Sequence, residues 1–196
     1  MIIENSIQFI EDKEYTIDEY LSIEPFLDEK HAYYNGKVVN VSDGIDYTHC
    51  IISANVITEL KYPKHKDLLI LSSQMRYFIA AKSIFVYPDI SIIEGKPQLF
   101  NNRDDVVENP SLIVEITSAL TESFDKGEKF DWYLTLTNLK EYILVSQRQK
   151  EVEVRTLNTE NIWETRIYKN PTDNILLKTS DIKIILEELY RGVIFS

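Results

Sequence analysis

The chain has 196 residues, 44% of them hydrophobic and 27% charged, with only 5 Gly and 6 Pro, so collagen-like, mucin-like and linker-rich proteins are excluded and a packed core is expected. A formal charge of −11 disfavours non-specific attachment to nucleic acid or anionic lipid, yet leaves room for nucleic-acid chemistry at a local carboxylate site. Cys50 is the sole cysteine, which rules out an intrachain disulfide framework and a cysteine-based zinc site. Apolar runs such as Ile182 to Leu186 are far too short to span a bilayer, so no membrane association is expected. The first residues, broken by Glu4, Glu11 and Asp12, lack the basic and apolar regions of a secretory signal, and the expected location is the cytoplasm.

In chain order, Thr16-Ile17-Asp18-Glu19 is a capping-box pattern that predicts a short helix carrying Tyr20, Leu21 and Ile23 and ending near Pro25. Asn35-Gly36, flanked by Tyr33-Tyr34 and Val38-Val39, predicts a β-hairpin. Residues 48–61 read as a helix with Ile52, Val56 and Leu60 as its apolar stripe. Strands are predicted over 68–72, 75–80 and 83–93, then a loop over 95–110. Leu112 to Ile116 reads as a strand covered on both faces. Asp125 and Glu128 suggest a cap before a helix with Phe130, Tyr133 and Leu134 inward. Glu141 to Val145 is a second buried strand, 151–157 and 163–168 alternate as a hairpin, and 182–189 closes the chain as a strand or short helix. There is no internal repeat and no glycine-rich nucleotide loop. The expected architecture is one α/β (α+β) domain over 1–196, with a mixed central sheet flanked by helices and extra β-structure at both ends.

Two carboxylates stand where a simple core would have none. Asp89 interrupts Ile84 to Ile93, and Glu115 interrupts Leu112 to Ile116. Asp is depleted in strands, and burying a carboxylate costs several kcal/mol unless it is paired or binds a metal. Either acid alone could sit at an exposed strand end or on an edge. Two of them on neighbouring strands suit a divalent cation with oxygen ligands. On the next helix Asp125, Lys129 and Tyr133 recur at i, i+4 and i+8 and share one flank. Lys129 borders the apolar stripe, from which it can reach the sheet end and offset charge on a phosphate; otherwise it is an exposed lysine balancing Glu128 and Asp131.

His49 could contact phosphate or be a structural or surface histidine. Tyr87, Tyr133 and Tyr142 read as core-boundary residues. Trp132 and Trp163 could stack on a base, although packing or a subunit interface suits them better. Lys61, Lys64, His65 and Lys66 form a small basic patch that could track a backbone or be a solvated turn.

Pro88-Asp89, then Glu115, then a lysine resembles the PD-(D/E)XK restriction-endonuclease-like superfamily, and within it the Uma2 family. The resemblance runs from about residue 15 to 190. It rests on the ordered blocks Tyr15 to Leu21, Tyr34 to Val39, His49 with Asn55 and Leu60, Tyr87 to Ile90, Asn109 to Ser118, Asp125 to Phe130 and Glu141 to Val145. It implies a restriction-endonuclease-like core with Asp89 and Glu115 as ligands to Mg²⁺ or Mn²⁺ and the carbonyl of Ile116 as a further ligand. The superfamily's usual lysine position is Thr117 here; the family instead places the lysine on the following helix, at Lys129. His49, Asp125 and Tyr133 are accessory candidates.

The chain departs from the family's outer acids. Ala32, Asn35, Lys37 and Gln74 occupy positions that are usually acidic or, in the case of Asn35, the Asp of an Asp-Gly turn. Asp28, Glu29 or His31 are the nearby groups that could substitute. The expected function is a divalent-metal-dependent endonuclease acting on DNA, as a homodimer. The alternatives are a degenerate member that binds a protein or nucleic acid without cutting, and a metal-dependent enzyme acting on a small phosphorylated molecule.

Overall fold

The fold is that of a computed structural model describing residues 13–41, 46–61 and 68–195. Helix α1 (Ile17–Ile23) opens with the expected capping box: the Thr16 hydroxyl accepts from the Glu19 N–H and the Glu19 carboxylate accepts from the Thr16 N–H. A 3₁₀ turn over Glu24–Phe26 follows, with Pro25 inside it where its missing N–H costs nothing. Strands β1 (His31–Tyr34) and β2 (Lys37–Asn40) form the hairpin. Its turn places Asn35 and Gly36 at φ of 48° and 77°, which the Asn-Gly pair adopts at little cost. Helix α2 (Tyr47–Lys61) buries Ile52, Val56 and Leu60 as the periodicity predicts. Of the basic patch, Lys61 ends this helix, while Lys64, His65 and Lys66 lie outside the described residues.

The strands that follow are β3 (Leu68–Ser72), β4 (Arg76–Ile79), β5 (Ile84–Val86), β6 (Ile90–Glu94), β7 (Val106–Val107) and β8 (Leu112–Thr117). After α3 (Glu122–Lys126) and α4 (Glu128–Tyr133) come β9 (Glu141–Ser146), β10 (Val152–Leu157), β11 (Trp163–Tyr168), β12 (Asn174–Leu177), β13 (Ile182–Ile185) and α5 (Leu186–Leu189). They form a five-stranded sheet in the order β2-β1-β5-β4-β7, a six-stranded sheet in the order β11-β10-β9-β8-β6-β3, and the β12-β13 hairpin. The six-stranded sheet is mixed, because β8 and β9 run parallel while its other pairs are antiparallel.

One face of the large sheet packs against α2, α5 and the β12-β13 hairpin through Val114, Ile116, Ile143 and Val145. The other face buries Ile113, Tyr142 and Leu144 against Phe130, Trp132 and Tyr133 of α4. The alternation along β8 therefore turns Glu115 to the α4 face and Ile116 to the α2 face.

Several sequence expectations need correction. The predicted strand 83–93 is two strands in different sheets, separated by Tyr87-Pro88-Asp89. Pro88 has no N–H to give a ladder, and the chain crosses between sheets there. Asp89 is thus in a connector at the head of β6, not within a strand. The 95–110 segment holds a 3₁₀ turn (Phe100–Asn102) and β7, which pairs parallel with β4. The helix after Glu115 starts at Glu122, before Asp125, and breaks at Gly127, whose φ and ψ of −112° and −100° no helix uses. A Cβ at Gly127 would meet the Ser123 carbonyl oxygen at 3.2 Å, so the bend is tight. Leu134, expected inward, caps α4 and is 40% exposed.

Candidate active site

The site lies where β6 begins and β8 ends. The pairing of Ile90 with Val114 sets Asp89 across from Glu115. Beyond that pair the ladder is continued by a side chain: Asp89 Oδ2 accepts the Ile116 N–H at 2.8 Å. From the α2 layer, His49 brings Nε2 to 3.1 Å from Asp89 Oδ1. Helix α2 delivers His49 because its Ile52-Val56-Leu60 stripe fixes its rotation on the sheet. The His49 N–H in turn bonds the Asp46 carboxylate at the helix start.

From the opposite layer, α3 and α4 supply Asp125, Lys129 and Tyr133. Lys129 Nζ stands 2.9 Å from Glu115 Oε2 and 3.4 Å from Asp125 Oδ1. The i, i+4 relation survives the Gly127 break. Tyr133 donates its hydroxyl to Glu115 Oε1 at 3.0 Å. The Tyr142 hydroxyl bonds the Asp125 carbonyl at 2.9 Å and holds the end of α3 against the sheet. The Glu115 side chain is 3% exposed and that of Lys129 15%.

Burial dominates the electrostatics. It pushes the Glu115 carboxyl up to about 8, aided by Asp89 and Asp125 and opposed by Lys129. It raises Asp125 as well, again against the pull of Lys129. Burial works against the charge on Asp89 too, but the His49 ring, Lys129 and the Ile116 amide together hold that carboxyl below its ordinary value. For Lys129 desolvation disfavours the ammonium, yet Glu115, Asp125 and Asp89 outweigh it and raise the pKa, so Lys129 is a fixed cation. One ammonium faces three carboxyl groups and cannot offset them all.

Of the residues singled out from the sequence, the structure brings seven together in this cluster: Asp89, Glu115 and Lys129, with Ile116, His49, Asp125 and Tyr133. Ile116 meets Asp89 through its N–H. The groups named as substitutes for the missing acids lie elsewhere. Asp28 and Glu29 are exposed, and Glu29 accepts from Asn40. His31 is buried against Glu24, with Nδ1 at 3.5 Å from its Oε2.

Sequence reasoning missed a second buried polar group behind Asp89. Glu24 Oε1 accepts the Tyr87 hydroxyl at 2.7 Å and the His31 N–H at 2.9 Å, fastening the first hairpin to the Tyr87-Pro88-Asp89 connector. Lys30 donates to the Ser73 carbonyl at 3.1 Å; burial lowers its pKa, with Asp89 opposing. Buried Arg76 pairs with Asp105. The signal for Glu24 was its place in Ile23-Glu24-Pro25-Phe26, an acid between apolar residues.

Known proteins share this chain's sequence pattern and fold. The model of the Uma2 family, described as "Putative restriction endonuclease", matches residues 17–182. Two Synechocystis proteins, both called uncharacterized, are similar. One, sll1609, is 33% identical over 139 residues, 70% of this chain and 78% of the relative. The other, slr1290, is 27% identical over 179 residues, 91% of this chain and 92% of the relative. Among solved structures, a "putative nuclease belonging to DUF820" from Anabaena variabilis superposes with a TM-score of 0.72 at 15% identity, covering 91% of this chain and 99% of that one. That likeness establishes a shared fold. With its family model spanning most of the sequence, from the capped first helix to the last hairpin, the chain belongs to the Uma2 family.

Proposed function

We propose that the chain is a divalent-metal-dependent endonuclease that hydrolyses DNA phosphodiester bonds, with Asp89, Glu115 and Lys129 as its catalytic residues, and that it works in the cytoplasm. The observation that supports this most is the Lys129 ammonium, held between Glu115 and Asp125 where β6 and β8 bring Asp89 and Glu115 together. No helix among the described residues is long and apolar enough to cross a membrane.

The donor set fits a hard metal ion. Asp89, Glu115 and the Ile116 carbonyl are all oxygen donors, which suits Mg²⁺ or Mn²⁺ retaining most of its waters. Among the described residues no group of three His, Cys, Asp or Glu side chains is placed to hold a metal ion, so an ion here would rest on two carboxylates and a backbone oxygen, with water supplying the rest of its shell. When bound, such an ion polarises a scissile phosphate and lowers the pKa of a coordinated water. Lys129 stays protonated, so it acts as a donor and countercharge to the phosphate and not as a base. Tyr133 and Asp125 fix Glu115 and Lys129 from behind, and His49 fixes Asp89.

A second reading has specific support. Each inner carboxylate already has protein partners: His49 and the Ile116 N–H for Asp89, Lys129 and Tyr133 for Glu115. With Ala32 and Gln74 at usual acidic positions, this fits a member that binds a protein or nucleic acid without cleaving.

A Mn²⁺ titration followed by thermal shift separates the two, because a ligand that binds only the native state raises its stability. The nuclease reading expects stabilisation of the wild type, none of Asp89→Asn, and plasmid cleavage that Lys129→Ala abolishes while still binding Mn²⁺. Equal Mn²⁺ responses in wild type and Asp89→Asn would remove Asp89 from the site. No response in either would favour the binding protein.

A further inference from the structure

We propose that β11 pairs antiparallel with β11 of a second copy, about a two-fold axis through Thr165, and that the chain dimerises through this edge.

Strand β11 ends the six-stranded sheet, with β10 on one side and no strand of the described residues on the other. Its backbone orientation follows from its neighbours. Leu157 gives its N–H to the Lys140 carbonyl on the β9 side, while Asn158 gives its own to Ile162. Val152, Val154 and Thr156 therefore turn toward β11, where they meet Tyr168, Arg166 and Glu164. Trp163, Thr165 and Ile167 present their N–H and C=O groups outward. Glu164 to Ile167 are exposed, and Ile162 and Ile167 are 54% and 50% exposed. The run Ile162-Trp163-Glu164-Thr165-Arg166-Ile167-Tyr168 contains neither the Pro nor the Lys that protects edge strands, and β11 is paired without a bulge to β10 along its whole length.

The side chains choose the partner and the register. A two-fold axis normal to the sheet pairs residues of like parity, and the symmetric registers that keep most of the strand paired centre on Glu164, Thr165 or Arg166. Centring on Glu164 sets Glu164 against itself, and centring on Arg166 sets Arg166 against itself; like charges directly opposite are destabilising. Centring on Thr165 instead sets Glu164 opposite Arg166 of the second copy and Trp163 opposite its Ile167, each pair twice. Arg166 has no ion-pair partner among the described residues, while Glu164 accepts only the Asn158 amide at 2.9 Å. In this register Thr165 faces Thr165, and the outward backbone groups of Trp163, Thr165 and Ile167 exchange reciprocal hydrogen bonds. The strand is complementary to itself, which identifies the occupant as a second copy.

The contact is one short strand pair, well below the roughly 1,600 Å² of a standard interface, so the dimer should dissociate on dilution. Sedimentation velocity of the full chain over a range of concentrations tests it. Wild type should pass from monomer to dimer as concentration rises. Arg166→Glu, which puts acids opposite one another, should stay monomeric, and Glu164→Arg combined with Arg166→Glu should restore the dimer. Thr165→Pro removes an N–H that faces outward, so it should abolish the dimer and leave the monomer's circular dichroism unchanged. A wild type that stays monomeric at every concentration overturns the proposal, as does a dimer that Arg166→Glu leaves intact or a charge swap that fails to restore it.

Discussion

Replacing Lys129 by Met removes the one ammonium among three buried or half-buried carboxyl groups while keeping most of its side-chain volume. The cluster then has a charge to neutralise, and the least costly way is to take up one further proton, because an unpaired buried carboxylate is costlier still. Glu115, pushed up to about 8, already holds its proton at pH 7.5, so the further proton falls to Asp125, whose ordinary value is 3.8. Each pH unit above that value costs about 1.4 kcal/mol for every proton the folded state must retain. At pH 7.5 the penalty is about 5 kcal/mol, and at pH 5 it is about 2 kcal/mol. The sign follows from the direction of the shift. Burial already raises Glu115 and Asp125, and losing Lys129 raises them further, since Lys129 was the group pulling them down. A carboxyl with a raised folded-state pKa contributes its stability below the unfolded value and loses it as pH rises toward the folded one. Urea denaturation of wild type and Lys129→Met at pH 5 and pH 7.5 measures this. The stability gap should widen by about 3 kcal/mol between the two conditions. A gap that is the same at both pH values would refute the reasoning, because a packing defect costs the same at each.

Two further outcomes follow from buried carboxylates away from that cluster. Tyr87→Phe removes one of the two donors to Glu24 Oε1 and should lower stability by about 1–3 kcal/mol, read from a thermal or urea melt; an unchanged melt would mean that the hairpin is fastened to the Asp89 connector by other contacts. Glu141, fully buried, accepts the Lys178 and Thr179 N–H groups at 3.0 and 2.8 Å and so ties the β12-β13 hairpin to the sheet. Glu141→Ala should cost about 3 kcal/mol and open the 178–181 turn to protease first, and a loss below about 1 kcal/mol would exclude that role.

The helix starts and turns were legible because they are local chemistry. Thr16 with Glu19 writes a capping box, and Asn35-Gly36 writes a turn, whatever the rest of the molecule does. The buried acids were legible for a different reason. A carboxylate within an apolar run is expensive enough that Asp89 and Glu115 stand out from the residue order alone. Lys129 was legible through its i, i+4 relation to Asp125 and through the family resemblance. Leu134 was misplaced because helical period alone put it inward, whereas α4 ends at Tyr133 and Leu134 caps it.

What the sequence determined by itself is what adjacent residues determine: the caps, the hairpin turns, the stripe of α2 and the identity of the inner acids. Only the tertiary structure decided the rest. The crossing at Pro88, where one apparent strand divides between two sheets, depends on which edges find partners. The fastening of Asp89 by His49 joins residues forty positions apart. The Glu24, His31 and Tyr87 group assembles from three elements, none of which carries a recognisable motif. Those contacts close long loops, and the free energy that selects them comes from burial of the whole core, which no local pattern contains.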